Sequence, residues 1–382
     1  MKSRPDTQRF ETVVVGGGQA GLSAGYHLAR RGMPFLILDA NERIGDSWRK
    51  RWDSLRLFTP ARYNGLDGMP FPAPANYFPT KDEMGDYLES YARQFKLPVR
   101  TGVRVESLTR ENGVFALTAG TQRFEAENVI VALSHYQGSK VPAFASQLDP
   151  SIMQLHSSEY KNPAQLQDGG VLIVGAGNSG SEIAMELVRD RPVWMAGSNT
   201  GQIPFRPEGL PGRLILVRLV LRGLFHRVMT VNTPMGRKIR PKVISKGGPL
   251  IRVKYKDMAA AGIKRVPRVA GVEAGRPVLE DGQVMDVPNV MWSTGYDAGL
   301  DWIKLPVLGE HEPLHRRGVV ESEPGLYFVG LHFQYSMSSG MVHGVGRDAD
   351  YIVKAVEARA AAKAGAPQKA QAAAATHSPR SR

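Results

Sequence analysis

"TVVVGGGQAGLSAGYHL", residues 12–28, runs an apolar strand into a glycine turn and on into a helix. Gly16, Gly18 and Gly21 fill the spacing G-x-G-x-x-G. The first glycine permits a tight turn, the second lets backbone approach a pyrophosphate, and the third lets the helix lie close to the strand. "FLILDA" (35–40) reads as the next strand, and Asp39 stands eighteen residues after Gly21, where a carboxylate accepts from a ribose 2'-OH. Strand, helix and strand in this order predict a parallel sheet with a right-handed crossover.

The pattern occurs twice. "VLIVGAGNSGSEIAMEL" (171–187) places Gly175, Gly177 and Gly180 after a strand and into a helix, and "VWMA" (193–196) follows as a strand. Where the first unit has Gly25, the second has Ala184. Where an acid would favour NAD stand Gly197 and Ser198, so no carboxylate repels a 2'-phosphate. No arginine follows directly, and Arg206 in the next loop is the expected phosphate contact. Two dinucleotides in one chain have a simple chemical use: one donates hydride and the other, a flavin, receives it. The first site is therefore expected to hold FAD and the second NADPH, with NADH as an alternative.

At 382 residues and 42% hydrophobic content, the chain has room for two such domains. It contains no cysteine, which removes disulfides, thiolate metal sites and thiol nucleophiles together. A dithiol reductase is excluded on that ground. The histidines His135, His332 and His343 lack metal-ligand spacing, and no metal is expected. No apolar run reaches membrane-spanning length and the start "MKSRPDTQRF" has no signal-like stretch, so a soluble cytoplasmic protein is the expectation.

The formal charge of +13 is concentrated. Between Gly209 and Lys256 lie twelve Arg and Lys and no Asp or Glu. Within this stretch, "RLILVRLVLRGLFHRVMTV" (213–231) places Arg218, Arg222 and His226 at i, i+4 and i+8, a cationic strip on a helix that is apolar nearly all round. Ordinary packing with a solvated basic edge is the main reading; peripheral membrane contact through 213–229 is the second. Nucleic acid is not expected, because no aromatics interleave with the charges.

Between the two units come a proline- and glycine-rich stretch, a helix from Lys81 to Phe95 and short strands. The tail from Ala360 is alanine-rich and reads as disordered. The fold class expected is α/β with two dinucleotide-binding, Rossmann-like domains. The FAD domain takes residues 1–167 and 286–359, the NAD(P)H domain 168–285 is inserted into it, and 360–382 forms the tail.

Several segments together resemble the class B flavoprotein monooxygenases, the group of the flavin-containing monooxygenases and plant indole-pyruvate monooxygenases. "GGGQAGLSAGYHL" (16–28) is similar to their FAD fingerprint, "IGDSWRKRWDSLRLFTP" (44–60) to the segment that passes the flavin, and "GAGNSG" (175–180) to their NADPH site. "WSTGY" (292–296) resembles their A-T-G-Y link with Ser293 in the alanine place, and "GLYFVGL" (325–331) with "GVGRDADYI" (344–352) their closing strand and helix. Of their F-x-G-x-x-x-H-x-x-x-Y/F signature, His156 and Tyr160 are present, while Pro150 and Ile152 stand in the Phe and Gly places.

The resemblance implies FAD contacts at Gly16, Gly18, Gln19, Ala20, Gly21, Asp39, Ser47, Trp48, Val105 and Gly330. It implies NAD(P)H contacts at Gly175, Gly177, Asn178, Ser179, Gly180 and Ser198. Hydride transfer to FAD, reaction of reduced flavin with O2 at C4a and oxygenation of a small soft nucleophile at N, S or activated C are the activity implied. A reductase passing electrons to a quinone or iron-sulfur acceptor, and a flavin redox sensor without turnover, are the alternatives. No catalytic side chain is singled out; His156 and Tyr160 read equally as linker packing.

Overall fold

In the computed structural model, which describes residues 7–209, 211–246 and 248–375, each glycine turn lies in its own sheet, between parallel strands. β1 (Thr7–Val15) lies inside the first, seven-stranded sheet, leading into α1 (Gln19–Arg30) and then β2 (Phe35–Leu38). β1 is parallel to β2, in register from Thr12↔Phe35 to Val15↔Leu38, and parallel on its other side to Gln122–Val131. Val99–Arg100 extends the sheet past β2, and the antiparallel strands Val114–Ala119 and Ser107–Glu111 extend it past Gln122–Val131. Leu326–Phe328 returns from the far end of the chain and pairs in parallel with Val129–Val131.

Both faces of this sheet are covered. Val14 points into a core with Leu22, Leu28, Tyr91 and Ile352, while Val13 and Val15 point into another with Leu108, Phe115 and Phe328. Alternate residues are buried on opposite sides, which is why β1 reads as an unbroken apolar run. Helix Lys81–Gln94 begins with a reciprocal cap: Glu83 N–H donates to Thr80 Oγ1 at 3.2 Å, and Thr80 N–H donates to Glu83 Oε2 at 2.7 Å.

The second sheet has five strands, all parallel, in the order Lys264–Val266, Val193–Ala196, Val171–Val174, Asn289–Trp292, Met153–His156. The expected boundaries at 168 and 285 therefore fall inside the second unit. Met153–His156 and Asn289–Trp292 are too short to announce their sheet by periodicity, and only their pairing assigns them.

Two other expectations change. The tail from Ala360 continues the helix Val342–Ala375; alanine has the highest helix propensity, and low complexity does not oppose it. Residues 376–382, expected to share the tail's disorder, lie outside the described residues. Second, the basic stretch winds in wide turns over Gly212–Leu216 and Leu219–Val228, with Met229 N–H donating to Leu224 O, five residues back, at 2.7 Å. In that winding residues five apart share a face. Arg227 therefore takes the place beside Arg222, and His226 turns inward with Nδ1 2.9 Å from Ser338 Oγ. Burial, then the nearby Arg347, lowers His226 to about 4, so it adds no charge to the strip near neutrality. Among the described residues no helix is long and apolar enough to cross a membrane.

Candidate functional site

At the end of β1 the chain turns through Gly16, whose φ of +108° favours glycine. Its N–H donates to Leu38 O at 2.7 Å and closes the turn against β2. A Cβ on Gly21 would stand 1.8 Å from Gly16 O, so a side chain there would push α1 off the turn. A Cβ on Gly18 would meet nothing within 4 Å. Open space thus lies over the N-cap of α1, and no side chain caps that helix. Its leading N–H groups, including those of Gln19 and Ala20, are left for an anion at the positive end of the helix dipole.

Asp39 is buried beneath this turn. Its Oδ2 accepts from Gly17 N–H at 2.5 Å, and its Oδ1 accepts from Asn41 N–H at 2.7 Å and from Asn41 Nδ2 at 2.9 Å. A carboxylate accepts about four hydrogen bonds, so roughly one position remains for a ribose hydroxyl. Asn41 is a supporting residue that spacing alone did not indicate.

Trp48, on the short helix Asp46–Arg49, donates Nε1 to Gln19 Oε1 at 3.1 Å. Ser47 lies exposed on the same helix. Gly330, with φ of +88°, meets the start of α1: a Cβ there would stand 2.9 Å from Ala20 Cβ. Val105 is partly buried two residues beyond Val103, whose N–H donates to Asp39 O at 2.9 Å. Gly16, Gln19, Ala20, Asp39, Trp48 and Gly330, far apart in sequence, thus meet around one open turn, while Ser47 and Val105 lie on neighbouring segments.

The second turn repeats the construction. Gly175 has φ of +113°, and its N–H donates to Ala196 O at 2.8 Å. A Cβ on Gly180 would stand 2.2 Å from Gly175 O, and one on Gly177 would meet nothing within 4 Å. Gly177 caps helix Asn178–Leu187 without a side-chain bond. Beside this turn the buried Ser293 Oγ has no partner among the described residues. An orphaned hydroxyl and uncapped N–H groups fit a second phosphate-bearing ligand. Ser179 stands half-buried in the first turn of the helix.

The side-chain amide of Asn178 is engaged within the chain. Its Nδ2 donates to Pro249 O and its Oδ1 accepts from Ile251 N–H, each at 3.0 Å, so the amide anchors the 249–251 segment. Arg206 is also engaged elsewhere, on Asp257 Oδ1 at 2.5 Å. The guanidinium beside Gly197 and exposed Ser198 is that of Arg265, donating to Gly197 O at 2.5 Å and to Asn199 Oδ1 at 3.4 Å. It arrives because Lys264–Val266 pairs with Val193–Ala196.

Between the two units, His156 Nε2 lies 2.9 Å from Gly295 O and Nδ1 lies 2.7 Å from Ser158 Oγ. A carbonyl only accepts, so Nε2 carries the proton and Nδ1 accepts. Burial lowers the imidazole below its ordinary range, and this neutral tautomer pins the strand end to the 293–297 link. Tyr160, fully buried, donates its hydroxyl to Glu186 Oε2 at 2.9 Å. Both residues fasten the junction through packing and hydrogen bonds, and Ile152 is buried in the core beside Trp292. Arg51 spans the junction, donating to Tyr296 Oη at 3.0 Å and lying 5.5 Å from the ring centres of Tyr136 and Tyr296. His135 and His332, remote in sequence, meet edge to face at 4.4 Å; burial and His332 lower His135 to about 4.

Residues 13–202 match the family model described as pyridine nucleotide-disulphide oxidoreductase. The oxidoreductase CzcO-like of Geobacillus kaustophilus is 38% identical over 90% of this chain and 97% of its own length. The oxidoreductase CzcO of Bacillus subtilis is 34% identical over 90% and 98%. Among solved structures, a flavin-containing monooxygenase from Stenotrophomonas maltophilia superposes with a TM-score of 0.74 and 25% identity, over 92% of this chain and 99% of that one. With identity spread along nearly the full length of both chains and two open glycine cradles in place, the protein belongs with the CzcO-like oxidoreductases and shares the fold of the flavin-containing monooxygenase.

Proposed function

We propose that the protein uses FAD and NAD(P)H to transfer one atom of O2 to a small soft nucleophile, at nitrogen, sulfur or an activated carbon. The observation that carries this reading is the pair of open cradles, at Gly18 and at Gly177, on separate sheets of a chain without cysteine. When bound, flavin supplies hydride acceptance and oxygen activation. The reaction balances with NAD(P)H giving two electrons and the substrate two, one oxygen atom entering product and the other leaving as water.

The chain's own part is to bind, orient and exclude water. Gly16, Gly18 and Gly21 admit the FAD pyrophosphate to the N-terminus of α1, Asp39 takes the ribose, and Trp48 covers the mouth of the cradle. Gly175, Gly177 and Gly180 do the same for NAD(P)H, and Arg265 serves the 2'-phosphate. The neutral His156 is a positioning residue, since both its ring nitrogens are engaged.

The test is turnover of NADPH under isotopically labelled O2 with small amines, sulfides and ketones. One labelled oxygen in product per NADPH consumed is the expected result. Rapid quinone or ferricyanide reduction with no labelled product supports the reductase instead, and slow NADPH oxidation with no acceptor turned over supports the sensor.

A further inference from the structure

The basic stretch 209–256 has no acid of its own, yet several of its arginines find carboxylates elsewhere. Arg240 reaches Glu312 at 2.6 Å and Arg252 reaches Glu208 at 3.2 Å. Arg218, Arg222 and Arg227 differ: among the described residues none has a carboxylate within 4.0 Å. All three line one cleft of about 620 Å³ with Arg62, Tyr63 and Leu219, and among the described residues no acid lines it. The wide-turn winding aligns Arg222 and Arg227, which ordinary helical spacing would separate.

Tyr63 lines the cleft, with the guanidinium groups of Arg62 and Arg222 lying 5.9 and 6.0 Å from its ring centre. Arg222 is fixed by a hydrogen bond to His343 O at 3.3 Å. Past Arg222 the cleft adjoins a second hollow of about 410 Å³ that Arg222 and His343 line, His343 being 6% exposed. The acids of that hollow, Asp67 and Asp350, pair with His27 and Arg31. A cleft of one charge sign focuses its field on an anion, and guanidinium groups match phosphate and carboxylate oxygens in geometry.

We propose that this cleft binds a small molecule carrying phosphate or carboxylate groups, anchored by Arg218, Arg222 and Arg227. Leu219 and Tyr63 offer apolar surface to its carbon skeleton. None of the lining residues belongs to either glycine turn, and the proposal does not rest on the monooxygenase reading.

The experiment is calorimetric titration of the full chain, at low salt, with inorganic phosphate, pyrophosphate and citrate. Saturable binding of at least one anion is expected, weakened by about tenfold in the Arg218→Gln/Arg227→Gln double variant. Citrate or the two phosphates, whichever binds, identifies the acidic group. Each single variant must weaken the same anion, which keeps the test valid if the double variant does not fold. No binding of any anion up to about 10 mM, or binding the variants leave unchanged, overturns the proposal. Sedimentation with anionic phospholipid vesicles, lost on Leu219→Ser, without free-anion binding also overturns it, in favour of a membrane surface.

Discussion

The indole N–H of Trp48 donates to the side-chain oxygen of Gln19 at 3.1 Å, joining the short helix after β2 to the first residue of α1. The bond fixes an aromatic ring at the mouth of the first cradle. Trp48→Phe keeps most of the ring and removes the donor, leaving Gln19 without that partner. FAD affinity should fall by about 1 kcal/mol, roughly fivefold. Titration of the apoprotein with FAD, followed by flavin fluorescence, measures it; unchanged affinity would detach Trp48 from the cofactor.

Gly18 and Gly21 should respond differently to a side chain, although both belong to one motif. Gly18 has extended backbone, φ −77° and ψ −172°, and open space where a Cβ would go. Gly18→Val should fold normally and purify without yellow colour. At Gly21 the added carbon would meet Gly16 O at 1.8 Å, so Gly21→Ala should cost about 1–3 kcal/mol of folding stability before any cofactor is considered. Flavin absorbance and denaturant unfolding, measured on both variants, separate the two effects.

His343 makes folding sensitive to acid. Burial, then the charge of Arg222, holds its imidazole down at about 3. An unfolded histidine titrates near 6.5, so below about that pH the unfolded chain takes up a proton the folded chain refuses. Stability is therefore lost as pH falls from about 6.5 toward 3, and between pH 7 and 5 this residue alone withdraws about 2 kcal/mol. His343→Phe should lose less stability than wild type over that interval. Parallel pH profiles of the two unfolding free energies would show that the imidazole is not desolvated.

The two cradles are legible in the sequence because each contains positions that glycine alone suits. Gly16 and Gly175 need positive φ, and Gly21 and Gly180 have backbone oxygen where a side chain would go. Other features depend on choices a local pattern does not encode. Arg218, Arg222 and His226 line up under α-helical winding, and the wider turns add Arg227 beside Arg222 while His226 bonds Ser338. Met153–His156 joins the second sheet through pairing with Asn289–Trp292, a contact across more than a hundred residues. Asn178 looks like a cofactor ligand from its place in "GAGNSG", yet the returning 249–251 segment takes both ends of its amide.

Arg265 is the clearest case of a contact hidden from spacing, and it bears on nucleotide choice. Sixty-eight residues separate it from Gly197, and strand pairing sets its guanidinium against Gly197 O and Asn199 Oδ1, next to Ser198. A guanidinium has five N–H donors, and these two bonds leave others for a phosphate. The side chain is exposed, so its truncation should not disturb the sheet. Arg265→Ala should lower kcat/KM for NADPH by about tenfold, near 1.4 kcal/mol, while NADH changes by no more than roughly twofold. Wild-type preference for NADPH should itself stay below roughly 1,000-fold, because a single exposed arginine would face the phosphate and NADH forgoes only that one contact. Arg206→Ala is the control: its guanidinium is engaged by Asp257, and the NADPH to NADH ratio should not move. Steady-state rates with both nucleotides decide the matter, and an equal loss with NADPH and NADH in Arg265→Ala would place the 2'-phosphate elsewhere.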